Sequence, residues 1–229
     1  PYLGELMEFA SIKGLKNRIG SNGFLLTKNN VLMKKLEFCD NLDISLRVAN
    51  QDDFSLICKS NRLSFEKYLE RIRAFISEIK KYNTILTIRM FSDNSSQNIL
   101  DRIGINFNVL GAPLMTPIKY DTDFYLYFED CLSREWTYST LSKPYFDGKC
   151  SEFYYSIVVL ANGDVTICCW DFNGENVVGN IHTQKGIVNV LESNNYRKVR
   201  ERFNHNIVPF KLCTTCTQLN KKGVYFEKD

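Results

Sequence analysis

Residues 153–169 read FYYSIVVLANGDVTICC, a run rich in aromatic and β-branched residues that is typical of extended structure. We predict two short strands, at residues 153–160 and 164–168. Asn162-Gly163 lies between them, and Asn-Gly favours the tight turn of a β-hairpin. Because side chains alternate along a strand, Cys168 and Cys169 point to opposite faces, and we assign Cys168 to the shared site described next.

Three further cysteines flank the predicted hairpin. Cys150 precedes it, and Cys213 and Cys216 follow it in a CxxC motif. A gap of two residues lets one turn direct both sulfurs of the motif at a single metal ion or cluster. Four thiolates suit either a tetrahedral zinc ion or a [4Fe–4S] cluster, and the spacing leaves both open. The predicted metal ligands are Cys150, Cys168, Cys213 and Cys216.

The order of these cysteines resembles that of an auxiliary iron–sulfur domain called SPASM, or of its shorter relative called twitch. In that order a cysteine precedes the hairpin glycine, here Gly163, a second cysteine follows four residues after it, and a CxxC comes later. Such domains follow the barrels of radical S-adenosylmethionine (SAM) enzymes. The flanking residues that add to the resemblance are Asn162 to Val165, Asp171, Gly179 to Ile181 and Tyr196-Arg197. No cysteine follows Cys216, so the resemblance implies one auxiliary [4Fe–4S] cluster.

The first 130 residues alternate between helical and strand patterns. The predicted helices are residues 2–14, 28–39, 64–79 and 97–103, and the predicted strands are residues 15–20, 42–48, 84–90 and 124–128. Ser64 begins the clearest helix, in which apolar residues recur at the helical period. Alternation of this kind predicts parallel strands joined by right-handed helical crossovers, and therefore an α/β fold.

Two strand ends of this segment also resemble the radical SAM barrel. Gly20-Ser21-Asn22-Gly23 is similar to the family's third-strand region, and Asp43-Ile44-Ser45-Leu46 is similar to its fourth strand. The resemblance implies that Ser21, Asn22 and Ser45 contact SAM. The family usually continues with Asp-Gly after the fourth strand, whereas this chain has Arg47-Val48.

The sequence contains no CxxxCxxC, the motif with which the family binds its catalytic cluster. We therefore assign no catalytic residue and expect this chain to be inactive by itself, as the C-terminal portion of a larger enzyme. The expected organisation is a partial radical SAM (β/α)6-type, TIM-barrel-like barrel lacking its first strands (1–132), a linker (133–149) and a small α+β SPASM/twitch-like domain (150–229).

For the intact enzyme, the resemblance implies an oxidoreductase or maturase that reductively cleaves SAM. The resulting 5′-deoxyadenosyl radical would abstract hydrogen from a peptide, a sugar or another small molecule, with a flavodoxin- or ferredoxin-type protein as electron donor. Two alternatives remain open at this point. The chain could be a non-catalytic, degenerate barrel that serves as a binding platform, or a four-cysteine zinc module with a structural role.

Composition narrows the remaining classes of partner. Twenty-nine Lys and Arg against 26 Asp and Glu give a net charge of +3, too small to indicate nucleic-acid binding. No apolar run approaches the roughly 20 residues of a membrane helix.

Eight cysteines without a secretory signal favour metal ligands and buried thiols in a cytoplasmic protein. We expect Cys39, Cys58 and Cys131 to be inert thiols, and His182 and His205 to be surface or capping residues.

Overall fold

The structure, a computed structural model, describes residues 2–26, 33–48, 50–58, 63–129, 150–205, 207 and 209–214. The chain divides into two compact units, Pro1–Glu135 and Trp136–Asp229. This division falls within residues 133–149, the predicted linker, which lies outside the described residues. Among the helices of the described ranges, none is long and apolar enough to cross a membrane.

The first unit is a mixed α/β fold built on a five-stranded sheet. Its elements are α1 (Leu3–Ile12), β1 (Arg18–Ser21), a 3₁₀ helix (Met33–Phe38), β2 (Asn41–Ser45), α2 (Gln51–Cys58), α3 (Phe65–Ile79), β3 (Ile85–Phe91), α4 (Asn94–Ile103), β4 (Pro117–Asp121) and β5 (Phe124–Glu129). The strand order is β1-β2-β3-β5-β4. Strands β1, β2, β3 and β5 run parallel, which confirms the predicted parallel arrangement, and β4 pairs antiparallel with β5 at the edge.

Helix α3 shows how local sequence and packing agree in this unit. The helix begins at Ser64, as the sequence predicts, and the Ser64 side chain caps it by accepting a hydrogen bond from the Lys67 backbone N–H. Seven apolar or aromatic side chains of α3 are buried, at residues 65, 68, 69, 72, 75, 76 and 79. They share one core with buried residues of the sheet such as Ile44 and Ile88, so the apolar stripe holds the helix against the strands.

The two faces of the sheet differ in chemistry. One face of β2, β3 and β5 joins the apolar core through Leu42, Ile44, Leu86, Ile88, Leu126 and Phe128. Residues alternating with these along the same strands point to the opposite face, because strand side chains alternate. That face presents Asp43, Ser45, Thr87, Arg89, Tyr127 and Glu129. The carboxyl ends of the parallel strands therefore meet at a polar edge.

Several predicted boundaries in the first unit are wrong. The helix predicted over 28–39 is a 3₁₀ helix at Met33–Phe38, and residues 27–32 lie outside the described residues. The strand predicted over 42–48 ends at Ser45, and α4 begins at Asn94, where the Asp93 side chain caps it. Helix α2 and strand β4 were not predicted. Strand β4 is short and alternates between exposed and half-buried residues at the sheet edge, so it lacks a strong apolar pattern.

The second unit is a small α+β assembly around a three-stranded sheet. Its elements are α5 (Ser151–Tyr155), β6 (Val158–Val159), β7 (Asp164–Thr166), β8 (Val177–Asn180), α6 (Ile187–Leu191), α7 (Asn194–Asn204) and α8 (Lys211–Thr214). Strands β6 and β7 pair antiparallel around the Asn162-Gly163 turn, and β8, which was not predicted, pairs antiparallel with β7.

The strand predicted over 153–160 is wrong at its start, because Phe153 to Tyr155 belong to α5. The buried Phe153 ring stacks on the Phe203 ring of α7 at a centroid separation of 4.7 Å and packs near Tyr196 at 5.5 Å. Packing against α7 therefore overrides the β propensity of this aromatic run.

Candidate metal centre

Three of the four predicted ligands lie around the core of the second unit. Cys150 immediately precedes α5, Cys168 follows β7, and Cys213 lies in α8. All three are half-buried and pack against the same apolar cluster, which includes Phe153, Ile167 and Phe203. Segments far apart in the sequence thus bring three thiols to the border of one core. Cys216 lies outside the described residues.

Hydrogen bonds to the sulfur and to the carbonyl of Cys168 hold the turn that follows this residue. The Trp170 backbone N–H donates to Cys168 Sγ at 3.4 Å. The Cys168 carbonyl accepts from Thr166 Oγ1 at 3.2 Å and from the Asp171 backbone N–H at 3.0 Å. A backbone N–H directed at sulfur stabilises a thiolate and is one of the contacts that set the potential of an iron–sulfur cluster.

Asp171 braces the loop that begins at this turn. It is fully buried, and its carboxylate oxygens accept from the backbone N–H groups of Glu175 and Asn176, each at 2.9 Å. The sequence marked Asp171 as part of the resemblance but did not predict this role. A buried carboxylate is stable only when hydrogen-bonded, so these two bonds keep the chain after Cys168 in one conformation.

The other cysteines have different environments. Cys169 is exposed whereas Cys168 is half-buried. The strand predicted over 164–168 is wrong at its end, because β7 ends at Thr166 and both cysteines follow it, so strand alternation does not separate them. Cys39 is buried in the core of the first unit, as expected for an inert thiol, and burial raises its pKa to about 11. The side chain of Cys58 and all of Cys131 lie outside the described residues.

The donor set of the predicted centre consists of thiols bordering apolar residues, which fits a thiolate-bound zinc ion or iron–sulfur cluster. Tyr154 lies near Cys150, one of the predicted ligands. Burial raises the pKa of Tyr154, with nearby Arg200 lowering it and Cys150 raising it, and its hydroxyl donates to Asn204 Oδ1 at 2.7 Å. Within the described ranges, no three His, Cys, Asp or Glu residues form a group that could hold a metal ion.

The three residues predicted to contact SAM lie at the carboxyl edge of the parallel sheet in the first unit. Ser21 ends β1 and is in register with Ile44, and Ser45 ends β2 and is in register with Arg89. Ser21 Oγ accepts from the Gly23 backbone N–H at 3.0 Å, and Asn22 Oδ1 accepts from the Phe24 backbone N–H at 3.1 Å. The side chains of Ser21 and Asn22 therefore also shape the turn after β1.

Both histidines have structural roles. The His182 ring packs over Gly163, where an added Cβ would overlap it. His205 is the C-cap of α7, and its Nδ1 lies 2.9 Å from the Glu201 carbonyl oxygen. Both residues are exposed, in agreement with the expectation of surface or capping positions.

One family model matches most of the second unit. Residues 150–217 match the SPASM family, described as an iron–sulfur cluster-binding domain, and this confirms the resemblance drawn from the order of the cysteines. The matched range includes Cys150, Cys168, Cys213 and Cys216. No curated protein matches the chain.

Among solved structures, the chain is similar to a crystal structure of selenomethionine BtrN in an open conformation, with 17% sequence identity. The similarity covers 89% of this chain and 92% of that chain. Its TM-score is 0.33, which does not establish a common fold.

Proposed function

We propose that Cys150, Cys168, Cys213 and Cys216 bind one auxiliary [4Fe–4S] cluster, in a portion of a radical SAM enzyme. The observation that supports this most directly is the SPASM match over residues 150–217, which includes all four cysteines. The half-buried positions of Cys150, Cys168 and Cys213 around one apolar core add to it. Four thiolates would saturate the cluster and leave no open iron for substrate.

A bound cluster of this type supplies one-electron chemistry. The protein would tune the reduction potential of the cluster through the hydrogen bond from the Trp170 N–H to Cys168 Sγ and through the apolar residues that pack against the cysteines, because hydrogen bonds and solvent access set cluster potentials. Asp171 would hold the turn after Cys168 in the conformation that presents this sulfur.

For the first unit, we propose part of a radical SAM barrel with Ser21, Asn22 and Ser45 on the SAM side. Support comes from its parallel sheet, at whose carboxyl edge Ser21 and Ser45 end neighbouring strands. The intact enzyme would cleave SAM with an electron from a flavodoxin- or ferredoxin-type protein and abstract hydrogen from a peptide, a sugar or another small molecule. This chain has no CxxxCxxC, so we expect no SAM cleavage by the chain alone.

Metal and sulfide analysis tests the proposed cluster. The chain is purified and reconstituted without oxygen, and its iron, acid-labile sulfide and zinc are measured. We expect about four irons and four sulfides per chain. Cys168→Ala should lower both sharply, whereas Cys169→Ala, a neighbouring exposed thiol, should leave both unchanged.

One tightly held zinc ion without sulfide would contradict the cluster and favour the structural zinc module. Equal loss of iron in the Cys168 and Cys169 variants would show that the assignment of Cys168 is wrong. In a complete enzyme, a relay role for the cluster predicts that Cys213→Ala keeps SAM cleavage and loses product formation. Full turnover in that variant would exclude the relay.

A further inference from the structure

Helix α1 carries apolar residues on the side that faces away from the core. Its buried residues are Gly4 and Met7, and Met7 belongs to the core of the first unit. The opposite side presents four large apolar residues at a spacing of three, which we call the outer stripe: Leu3, Leu6, Phe9 and Ile12. Between 43 and 73% of each residue is exposed. A surface helix normally presents polar residues to solvent, so the outer stripe indicates a binding surface.

Two residues of opposite charge lie on the same face, at equal distances from its centre. Glu5 is four residues before Phe9 and Lys13 is four residues after it, and residues four apart share one face of a helix. Lys13 is the C-cap of α1, and its Nζ lies 5.6 Å from the centroid of the Phe9 ring. Among the described residues, neither Glu5 nor Lys13 has an ion-pair partner.

The exposed area of the outer stripe is sufficient for a small interface. Its four residues expose on the order of 500 Å², which is as much as the largest apolar patch of a typical monomer. Two copies that cover this area on each other would remove about 1,000 Å² from solvent, the lower limit for a specific protein–protein interface. The area therefore supports a reversible dimer of modest affinity.

We propose that the outer stripe binds the outer stripe of a second copy of this chain, in an antiparallel pair of α1 helices with two-fold symmetry. In the commonest class of helix packing, the rows of residues four apart on the two helices run alongside one another. A two-fold axis beside Phe9 then brings Glu5 of each copy level with Lys13 of the other. Leu6 and Ile12 flank this row on its two sides and cover it from solvent.

The charges select the orientation of the two helices. An antiparallel pair forms the Glu5–Lys13 contact twice, whereas a parallel pair would place each charge beside its own equivalent, and like charges across an interface repel. This inference goes beyond the proposed function, because it requires neither the metal centre nor SAM.

The test measures the mass of the full chain in solution. Sedimentation equilibrium is recorded over a wide range of micromolar concentrations, with a reductant present so that the exposed Cys169 does not form disulfides between chains. We expect a reversible equilibrium between monomer and dimer. Phe9→Glu places two carboxylates at the centre of the interface and should weaken the dimer about a hundredfold. Leu110→Glu, which changes an exposed leucine outside α1, is the matched control and should have no effect.

Exchange of the two charges tests the antiparallel arrangement. Glu5→Lys alone or Lys13→Glu alone places like charges opposite one another at both ends of the interface, so the dimer affinity of either variant should fall about tenfold. An equimolar mixture of the two variants should recover the wild-type affinity, because each copy then faces charges of opposite sign at both ends.

A wild-type chain that stays monomeric at every concentration would overturn the proposal and show that another occupant covers the outer stripe. A dimer that Phe9→Glu leaves intact would show that the copies associate through a different surface. Failure of the mixed charge variants to recover affinity would exclude the antiparallel pair. Glu5 and Lys13 are exposed, so the charge variants keep the proposal testable even if Phe9→Glu does not fold, which circular dichroism checks.

Discussion

Cys39 lies in the core of the first unit with 2% of its surface exposed, and its Sγ–H donates to the Asn41 carbonyl at 3.2 Å. Burial is the main reason that its pKa rises from 9.0 to about 11, and the nearby carboxylates of Asp40 and Asp43 add to the rise. The thiolate is the reactive form of cysteine, so the buried and protonated Cys39 is inert. Cys169, by contrast, is exposed to reagents.

The first prediction concerns this thiol. At pH 8 a pKa of about 11 in place of 9.0 lowers the thiolate fraction about a hundredfold. Iodoacetamide labelling resolved by peptide mass spectrometry should therefore be at least that much slower at Cys39 than at Cys169 in the metal-free native chain. In denaturant the two rates should converge. Equal rates in the native chain would contradict the burial of Cys39.

The sign of the linked effect on stability follows from the same shift. Between pH 9 and 11 the folded chain retains a proton on Cys39 that the unfolded chain releases, so this residue makes the free energy of unfolding fall as pH rises. Cys39→Ala should reduce the slope of that fall, measured by urea unfolding at several pH values.

The second prediction concerns Asp171. In Asp171→Asn, one of the two backbone N–H groups now bonded to the carboxylate loses its acceptor and faces an amide N–H₂. We expect a loss of about 1–3 kcal/mol in the free energy of unfolding. Glu175→Gln removes a charge from an exposed side chain on the same loop and should change it by less than about 0.5 kcal/mol. Urea unfolding measures both, and equal effects would contradict the bracing role.

At the scale of elements, the turn between β6 and β7 depends on a glycine. Gly163 has φ +85°, a left-handed conformation that side chains disfavour, and the His182 ring occupies the space where its Cβ would lie. The third prediction is that Gly163→Ala lowers the free energy of unfolding by more than about 2 kcal/mol, because backbone strain of about 1–2 kcal/mol adds to the steric overlap.

A double-mutant cycle separates the two causes at this turn. His182→Ala removes the ring, so in the Gly163→Ala background it should restore about 1 kcal/mol, and the strain at φ +85° should remain. Thermal unfolding of the four proteins measures the coupling. Strict additivity would show that the ring does not restrict this position.

The fourth prediction concerns the start of α3. Ser64→Ala removes the side-chain acceptor for the Lys67 N–H, at a cost of about 1 kcal/mol. Ser77 lies within the same helix and is exposed, so Ser77→Ala should be neutral or slightly stabilising because alanine has the higher helix propensity. A comparable loss in both variants, measured by denaturant unfolding, would contradict the capping role.

At the scale of the whole molecule, the two units have separate cores of unequal size. Among the described residues, 28 buried side chains form the core of the first unit and seven form that of the second. So small a core supplies little stability, and small domains usually need a metal or disulfides in addition.

The fifth prediction is that the second unit unfolds first and that its stability depends on the proposed metal centre. Trp170 lies in this unit, so in a Trp136→Phe variant the tryptophan emission reports on it, whereas far-UV circular dichroism reports on both units. A strong chelator under anaerobic conditions should move the tryptophan transition to lower denaturant and leave the later dichroism transition in place. Coincident transitions that shift together would contradict separate units.

Much of the fold follows from patterns within short windows of sequence. The apolar stripe of α3, the start of this helix at Ser64, the Asn162-Gly163 turn and the parallel strands were all predicted, because helical period and turn chemistry act over a few residues. The weakly patterned edge strand β4 was not predicted, and the strand predicted at Phe153 is wrong because this residue lies in a helix. Both elements depend on what they pack against.

For the candidate metal centre, the order of the cysteines was sufficient to indicate the similarity to the SPASM family that the comparison then found. The bracing of Cys168 by Asp171 and by the Trp170 N–H was not predictable, since it depends on the path of the loop.

Local periodicity and spacing encode the α/β alternation, the hairpin turn and the candidate ligands, so the residues alone predict them. The ion pair of Arg47 and Glu129, 82 residues apart and beside Arg89, depends on how the strands pair in the folded chain. The reason is strand order: β3 lies between β2 and β5, and β4 at the edge separates β3 from β5 in the chain but not in the sheet. Sheet neighbours are set by long-range pairing and core packing, which no local pattern specifies.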